Sequence, residues 1–260
     1  MGMKDPDNRI RQLSQEFFES ELEEYGDVVQ PSGQEGKYLN SLLTQLVAER
    51  RSFSLLDIGC GIGYVAMAVK TLFPDADVFG VDISPAIIGR AKELDSQDLI
   101  QYGVATESQI TYESERFDFA VCRLSMHHYP RILEHLSEVH RLLKPQGTYL
   151  IIDVVPDSEK YDEWLNDLFM GRKDGHVKFY TLVEYESLLQ QSGYSVRSVE
   201  YFPQLLDLSQ EHMLYEPIKK MPSAFQKMVS FKQYQNRFSF ELKAAGIFAA
   251  QGMGQGPSKP

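Results

Sequence analysis

Between Phe53 and Phe202 the chain alternates short apolar runs with stretches whose apolar residues recur every three or four positions. Strands of a parallel sheet joined by crossover helices leave that trace. The runs predict strands over Phe53–Ile58, Asp77–Val81, Leu99–Val104, Phe117–Arg123, Thr148–Val155 and Tyr194–Phe202, with a last one over Phe240–Ala250. The helical stretches between them are 62–73, from Ser84-Pro85 to Leu94, from Pro130 to Leu143, and 161–170, and Thr181 with Glu184 forms a capping box for a helix to Gln191, closed by Gly193. Two helices precede the first strand, over residues 8–24 and 38–47, separated by Gly26 and Pro31-Ser32-Gly33. The expected architecture is α/β: a doubly wound, seven-stranded, mostly parallel sheet, with N-terminal helices and a helical insertion before the last strand. Residues 1–34 read as a helical cap, 35–250 as the main domain with an insertion over 203–239, and 251–260, rich in Gly and Pro, as a flexible tail.

Composition narrows the chemistry. With 43% hydrophobic and 24% charged residues the 260-residue chain can bury a sizeable core. Its net charge of −11 disfavours a surface built to hold phosphate backbones, so nucleic acid is an unlikely partner and a small molecule is expected. No apolar stretch is long enough to span a bilayer, and the N-terminal residues lack a secretory pattern, which gives a cytoplasmic expectation. Cys60 and Cys122 have no spacing suited to a disulfide framework or a zinc site, and the six histidines show no ligand spacing, so no metal is expected.

The segment with most chemical content is Asp57-Ile58-Gly59-Cys60-Gly61-Ile62-Gly63-Tyr64, where a strand turns into a helix. Glycines there let the backbone turn sharply and let a ligand approach closely. A carboxylate, Asp57, precedes the turn, and a second, Asp82, ends the next strand 19 residues past Gly63, where it can accept hydrogen bonds from both hydroxyls of a ribose. A dinucleotide fingerprint would place its third glycine where Tyr64 stands. An acid ahead of the glycines also suits a cationic ligand better than a pyrophosphate, and the sulfonium and amino groups of S-adenosylmethionine meet that demand.

Asp57-Ile-Gly-Cys-Gly-Ile-Gly63, Val81-Asp82-Ile83-Ser84, Phe117-Asp118 and Leu142-Leu-Lys-Pro-Gln-Gly147 resemble the class I S-adenosylmethionine-dependent methyltransferases over residues 35–202, most closely the branch acting on quinones and other small metabolites. The resemblance implies the Rossmann-like fold of that family and S-adenosylmethionine as cofactor. It assigns Asp57, Gly59, Gly61 and Gly63 to the amino-acid moiety and Asp82 to the ribose, with Cys60 and Ile83 also among the cofactor-binding residues. Where the family reads the adenine amine with an Asp-Ala or similar pair, this chain carries Thr106-Glu107. The backbone of Arg123-Leu124 would run beside the methionyl part.

Ligands gather at the C-terminal ends of strands in open α/β sheets, so His127 and His128, just past the fourth strand, and His176, in a loop, are candidate bases toward the acceptor. Each has an alternative reading as a packing or capping residue, and methyl transfer by in-line displacement can proceed on positioning alone. Asp153 and Tyr180 are further pocket candidates, and Phe17, Phe18, Trp164 and Phe169 could line an apolar pocket. No Asn/Asp-Pro-Pro-Tyr segment and no Pro-Cys pair follows the fourth strand. The insertion carries Lys219, Lys220, Lys227, Lys232 and Arg237 interleaved with Phe225, Phe231, Tyr234 and Phe238. That pattern fits either an RNA-stacking surface or an amphipathic lid or homodimer contact, with the lid favoured by the short patch in an acidic chain. A protein that binds the cofactor without turnover is the remaining alternative.

Overall fold

The computed structural model describes residues 5–22, 33–157, 159–209 and 212–252. Asp5 accepts from the Asp7 amide and Pro6 takes the first helical position, so α1 (Pro6–Ser20) begins before its apolar pattern does. The next helix, α2 (Gly33–Val47), buries the stripe Leu39, Leu42, Leu43, Leu46 and Val47. There follow β1 (Ser54–Ile58), α3 (Tyr64–Leu72), β2 (Asp77–Asp82), α4 (Pro85–Leu94), β3 (Ile100–Val104), β4 (Phe117–Arg123), a 3-10 turn (Met126–His128), α5 (Ile132–Leu142), β5 (Leu143–Val154), α6 (Glu159–Met170) and α7 (Leu182–Gln191). The chain closes with β6 (Tyr194–Ser209), α8 (Tyr215–Lys220), α9 (Ser223–Met228), β7 (Lys232–Tyr234) and β8 (Arg237–Gln251).

All seven expected strands lie in one sheet of order β3-β2-β1-β4-β5-β8-β6, and β7 adds an eighth by pairing with β8. The pairs among β1 to β5 are parallel, while β8 runs antiparallel to β5, β6 and β7. Period-2 alternation sorts the core into two layers. Leu55, Val78, Phe119, Val121, Leu150 and Ile152 pack with α2, α3 and α4, whereas Leu56, Phe79, Ala120, Cys122, Tyr149 and Ile151 pack with α5 and α7.

Several boundaries differ from the sequence reading. Leu143 already pairs with Phe117, and the register then skips to Thr148 opposite Phe119, so Lys144-Pro145-Gln146-Gly147 is a bulge within β5 rather than a connection before it. The expected helical insertion over 203–239 shrinks at both ends: β6 runs on to Ser209 and β8 starts at Arg237, with Ser209 opposite Arg237. Pro203 masked the continuation, yet β6 is the edge of the sheet path, where a residue without an amide proton costs no ladder bond. The 251–260 tail is part strand at Gln251, and its residues 253–260, like Gly26 and the Pro31-Ser32 pair, lie outside the described residues.

The lengthened β6–β8 arm carries a third apolar cluster beyond the end of β5. Leu165, Leu168 and Phe169 of α6 meet Ile218, Phe225, Phe238 and Phe240 there. Phe225 and Phe238 are fully buried and Phe231 packs against them, which leaves Tyr234 as the exposed ring of the four on which the RNA reading of the insertion depended. Lys219 lies over the Tyr215 ring at 5.2 Å and Lys220 pairs with Glu216, as expected of cations rimming an apolar face.

Candidate active site

β1 delivers Asp57 to the cleft almost without exposure, 1%. Its Oδ2 accepts the Ala66 amide of α3 at 3.1 Å. The turn that follows needs three left-handed residues, and glycine supplies them: φ is +66° at Gly59, +52° at Gly61 and +93° at Gly63. A Cβ at Gly61 would meet nothing within 4 Å, so the backbone there opens onto empty space wide enough for a ligand to rest on it. Gly63 is constrained for another reason, because a Cβ would lie 2.1 Å from the Tyr102 hydroxyl oxygen. Gly63→Ala should therefore cost about 3 kcal/mol, combining a left-handed alanine with overpacking. Urea unfolding measures this, and a loss below about 1 kcal/mol would mean that Tyr102 yields freely.

At the end of β2, Asp82 ties the whole turn together. Its Oδ2 accepts the Gly61 amide at 3.0 Å and its Oδ1 the Ser84 amide at 3.1 Å. Burial raises the pKa of both carboxyl groups: that of Asp82 rises despite these amide donors, and that of Asp57 reaches about 7, pushed further by the nearby Asp82 charge. Two desolvated acids side by side make a site that gains from a cationic ligand.

Asp57, Gly59, Cys60, Gly61, Asp82, Ile83, Thr106, Glu107, Arg123, Leu124 and His128 all line one cavity of about 420 Å³. Gly63 shapes the turn without lining it. Burial raises the Cys60 thiol pKa well above its ordinary value, which suits a packing residue better than a nucleophile. Glu107, at the adenine end implied by the resemblance, is gripped by Arg11, whose Nη2 donates to Oε1 at 2.5 Å and whose Nε donates to both oxygens at 3.1 Å. Arg123 pairs with Glu35 and lies over the Tyr64 ring at 4.7 Å, while Gln204 donates to the same Glu35 oxygen at 3.3 Å.

The three candidate bases have separate surroundings. His127 Nδ1 contacts Asp153 Oδ1 at 2.8 Å, and Asp153 Oδ2 accepts from Tyr185 at 3.3 Å, so Asp153 serves a buried network behind the cavity. His176 is off the cavity wall and bonds Asn166 through Nε2 at 2.8 Å. Burial lowers its pKa to about 3, helped by the His127 and Arg172 charges. His128 alone of the three lines the cavity, and burial together with the His127 and His176 charges holds its pKa well below 6.5. Trp164 and Phe169 belong to the third apolar cluster, and Tyr180 packs against the α5–α7 layer.

The roof of the cavity carries Phe18, named in the sequence as a possible pocket aromatic, and further residues that the sequence reading did not single out for the pocket. Arg11, Ser14, Gln15, Phe18 and Leu22 line it together with Glu35, Tyr64, Ser84, Ser125 and Tyr129. Arg11, Ser14 and Gln15, Phe18 and Leu22 follow the spacing of one helical face, which was the available signal. The roof is latched at its far end by Ser84, whose hydroxyl donates to Glu19 at 2.5 Å, and at its near end by Arg131 on Asp7 at 2.6 Å. Among the described residues no group of three or more His, Cys, Asp or Glu side chains is arranged to hold a metal ion, and no helix is long and apolar enough to cross a membrane.

Comparison with known proteins follows this geometry. The model of the methyltransferase domain matches residues 32–199. YcgJ of Bacillus subtilis, described as an uncharacterized methyltransferase, is 25% identical over 155 residues, which span 58% of this chain and 60% of that protein. The 27-O-demethylrifamycin SV methyltransferase of Amycolatopsis mediterranei is 29% identical over 175 residues, 62% of this chain and 61% of that protein. Each match therefore spans under two thirds of the relative's own length. The crystal structure of YcgJ superposes with a TM-score of 0.70 at 22% identity, covering 84% of this chain and all of that one, and so shares the fold.

Proposed function

The chain belongs to the methyltransferase-domain family, and on that premise we propose that it transfers the methyl group of S-adenosylmethionine to a small-molecule acceptor held beneath α1. The observation that carries this reading is the convergence of Asp57, Asp82 and the open backbone at Gly61 on one roofed cavity. When bound, S-adenosylmethionine supplies a methyl group already activated on a sulfonium, open to in-line displacement.

The residues divide the work by chemistry. Asp57 neutralises the ammonium of the methionyl part, and Arg123 stands beside Tyr64 where a carboxylate can be met. Asp82 keeps lone pairs free of its two amide donors for the ribose hydroxyls. Glu107 accepts the adenine amine, with Thr106 next to it, while Arg11 holds the carboxylate in place. α1 excludes water from above. The small acceptor is supported by the size of the cavity, about 420 Å³, and by the acidic balance of the chain, and the rifamycin enzyme is a relative whose described acceptor is a small molecule.

S-adenosylhomocysteine should raise the melting temperature of the protein, and NAD should leave it unchanged. Incubation with methyl-labelled cofactor should then label a component of a small-metabolite extract and leave RNA unlabelled. Stabilisation by NAD instead, or label appearing in RNA alone, would overturn the reading.

A further inference from the structure

Among the described residues five buried side-chain polar atoms lack a hydrogen-bond partner, and four of them sit in one place, between α1, the Met126–His128 turn and the loop 171–176. Arg172 Nε and Asp174 Oδ2 answer each other as an ion pair at 3.3 Å. That leaves two imidazole nitrogens, Nδ1 of His128 and Nδ1 of His176. A buried acceptor without a donor costs about as much as a lost hydrogen bond, so a lone pair kept this way calls for an explanation.

The proton position on His176 follows from its partner. Asn166 donates through its amide nitrogen to the Asp162 carbonyl at 3.0 Å, and its Oδ1 accepts the Phe179 amide at 2.7 Å. His176 Nε2 must then donate to that same Oδ1, which leaves its Nδ1 as a bare lone pair. His128 Nδ1 has no partner either, and a neutral imidazole keeps one bare nitrogen, which the tautomer protonated at Nε2 leaves at Nδ1.

The two rings differ in access. His128 lines the cofactor cavity, and its shield is the Phe18 ring of α1, edge-on at 5.3 Å. α1 buries none of its own residues and is held through Arg11, Glu19 and Asp7, so it can lift without exposing core. Gly175 fits the same design, since a Cβ there would lie 2.7 Å from the Ile10 carbonyl of α1.

We propose that His128 Nδ1 receives the hydrogen of a hydroxyl on the methyl acceptor, so that the acceptor is an alcohol or phenol that reaches the imidazole as Phe18 withdraws with α1; this rests on the methyl-transfer reading above. On transfer the acceptor oxygen gains its bond to the methyl carbon, the carbon–sulfur bond breaks with its electrons left on sulfur, and the hydroxyl proton passes to Nδ1. Burial and the facing charges of Arg172, His127 and His176 disfavour the imidazolium, so the proton leaves to water once the roof opens.

The test uses the full chain, labelled with ¹⁵N-histidine and saturated with S-adenosylhomocysteine. Phenol and cyclohexanol are the hydroxyl probes, and anisole and methoxycyclohexane are their methylated counterparts. The His128 Nδ1 resonance, identified by its loss in His128→Asn, should move toward the hydrogen-bonded position with phenol or cyclohexanol and stay in place with the ethers. Phenol should bind about fivefold more tightly than anisole, one hydrogen bond's worth. In His128→Phe the two should agree within about twofold. A resonance unmoved by both hydroxyl probes, or moved equally by the ethers, overturns the proposal. Failure of S-adenosylhomocysteine to raise the melting temperature counts instead against the cofactor reading on which it stands.

Discussion

Asp82→Ala should weaken S-adenosylhomocysteine binding about a hundredfold while leaving the protein folded. A carboxylate that accepts from two ribose hydroxyls makes two charge-assisted hydrogen bonds, each worth about 1.5–3 kcal/mol. Losing about 3 kcal/mol multiplies Kd by roughly a hundred. The substitution also frees the Gly61 and Ser84 amides that Asp82 now holds. Against that loss stands relief from burying a charge, the leading cause of the raised Asp82 pKa, so the two effects on folding oppose each other. Calorimetric titration reads the affinity, and a melt without ligand reads the stability. A fall of less than fivefold would remove Asp82 from the ribose site.

The place of Asp82 on the cavity wall was legible in the sequence because it depends on local order: a strand, three glycines, a second strand and an acid at its end. The turn at Gly59-Cys60-Gly61-Ile62-Gly63 was legible for the same reason, since a left-handed backbone leaves glycine as its mark. Strands β1, β2 and β4 were found within a residue, their apolar runs being buried on both faces. What failed was of another kind. Pro203 hid the extension of β6 because proline is a poor strand residue everywhere except on an edge, and edge position is a property of the assembled sheet. The aromatic residues of the insertion looked like a stacking surface until Phe225 and Phe238 were seen facing inward, because a pattern of basic and aromatic residues does not say which face is covered. Arg11 is separated from Glu107 by 96 positions, and no local signal joins a surface helix to a loop so far away. The separate environments of His127, His128 and His176 were equally out of reach, since they are set by Asp153, Phe18 and Asn166 from three other parts of the chain.

Asp57→Asn should have opposite effects on stability and on binding, and both should depend on pH. In the folded, ligand-free protein the Asp57 carboxyl titrates at about 7 rather than 3.8, principally because it is buried. A folded pKa above the unfolded one means that the native state holds the proton more tightly. The group's contribution is fully present below 3.8 and is lost as pH rises through about 7. At pH 8 a wild-type molecule therefore carries a buried, ionised carboxylate, which asparagine replaces with a neutral amide able to keep the Ala66 bond. The variant should be more stable there by as much as about 4 kcal/mol, and the difference should vanish toward pH 4. Binding runs the other way, because the cofactor's ammonium needs the charged carboxylate. Wild-type affinity for S-adenosylhomocysteine should fall up to about tenfold for each pH unit below 7, while that of Asp57→Asn should be weak and flat across the same range. Urea unfolding at pH 5 and pH 8, with calorimetric titrations between them, provides both readouts. An affinity independent of pH in the wild type, or a variant less stable than wild type at pH 8, would show that Asp57 is no counter-ion and that its burial serves only the turn it precedes.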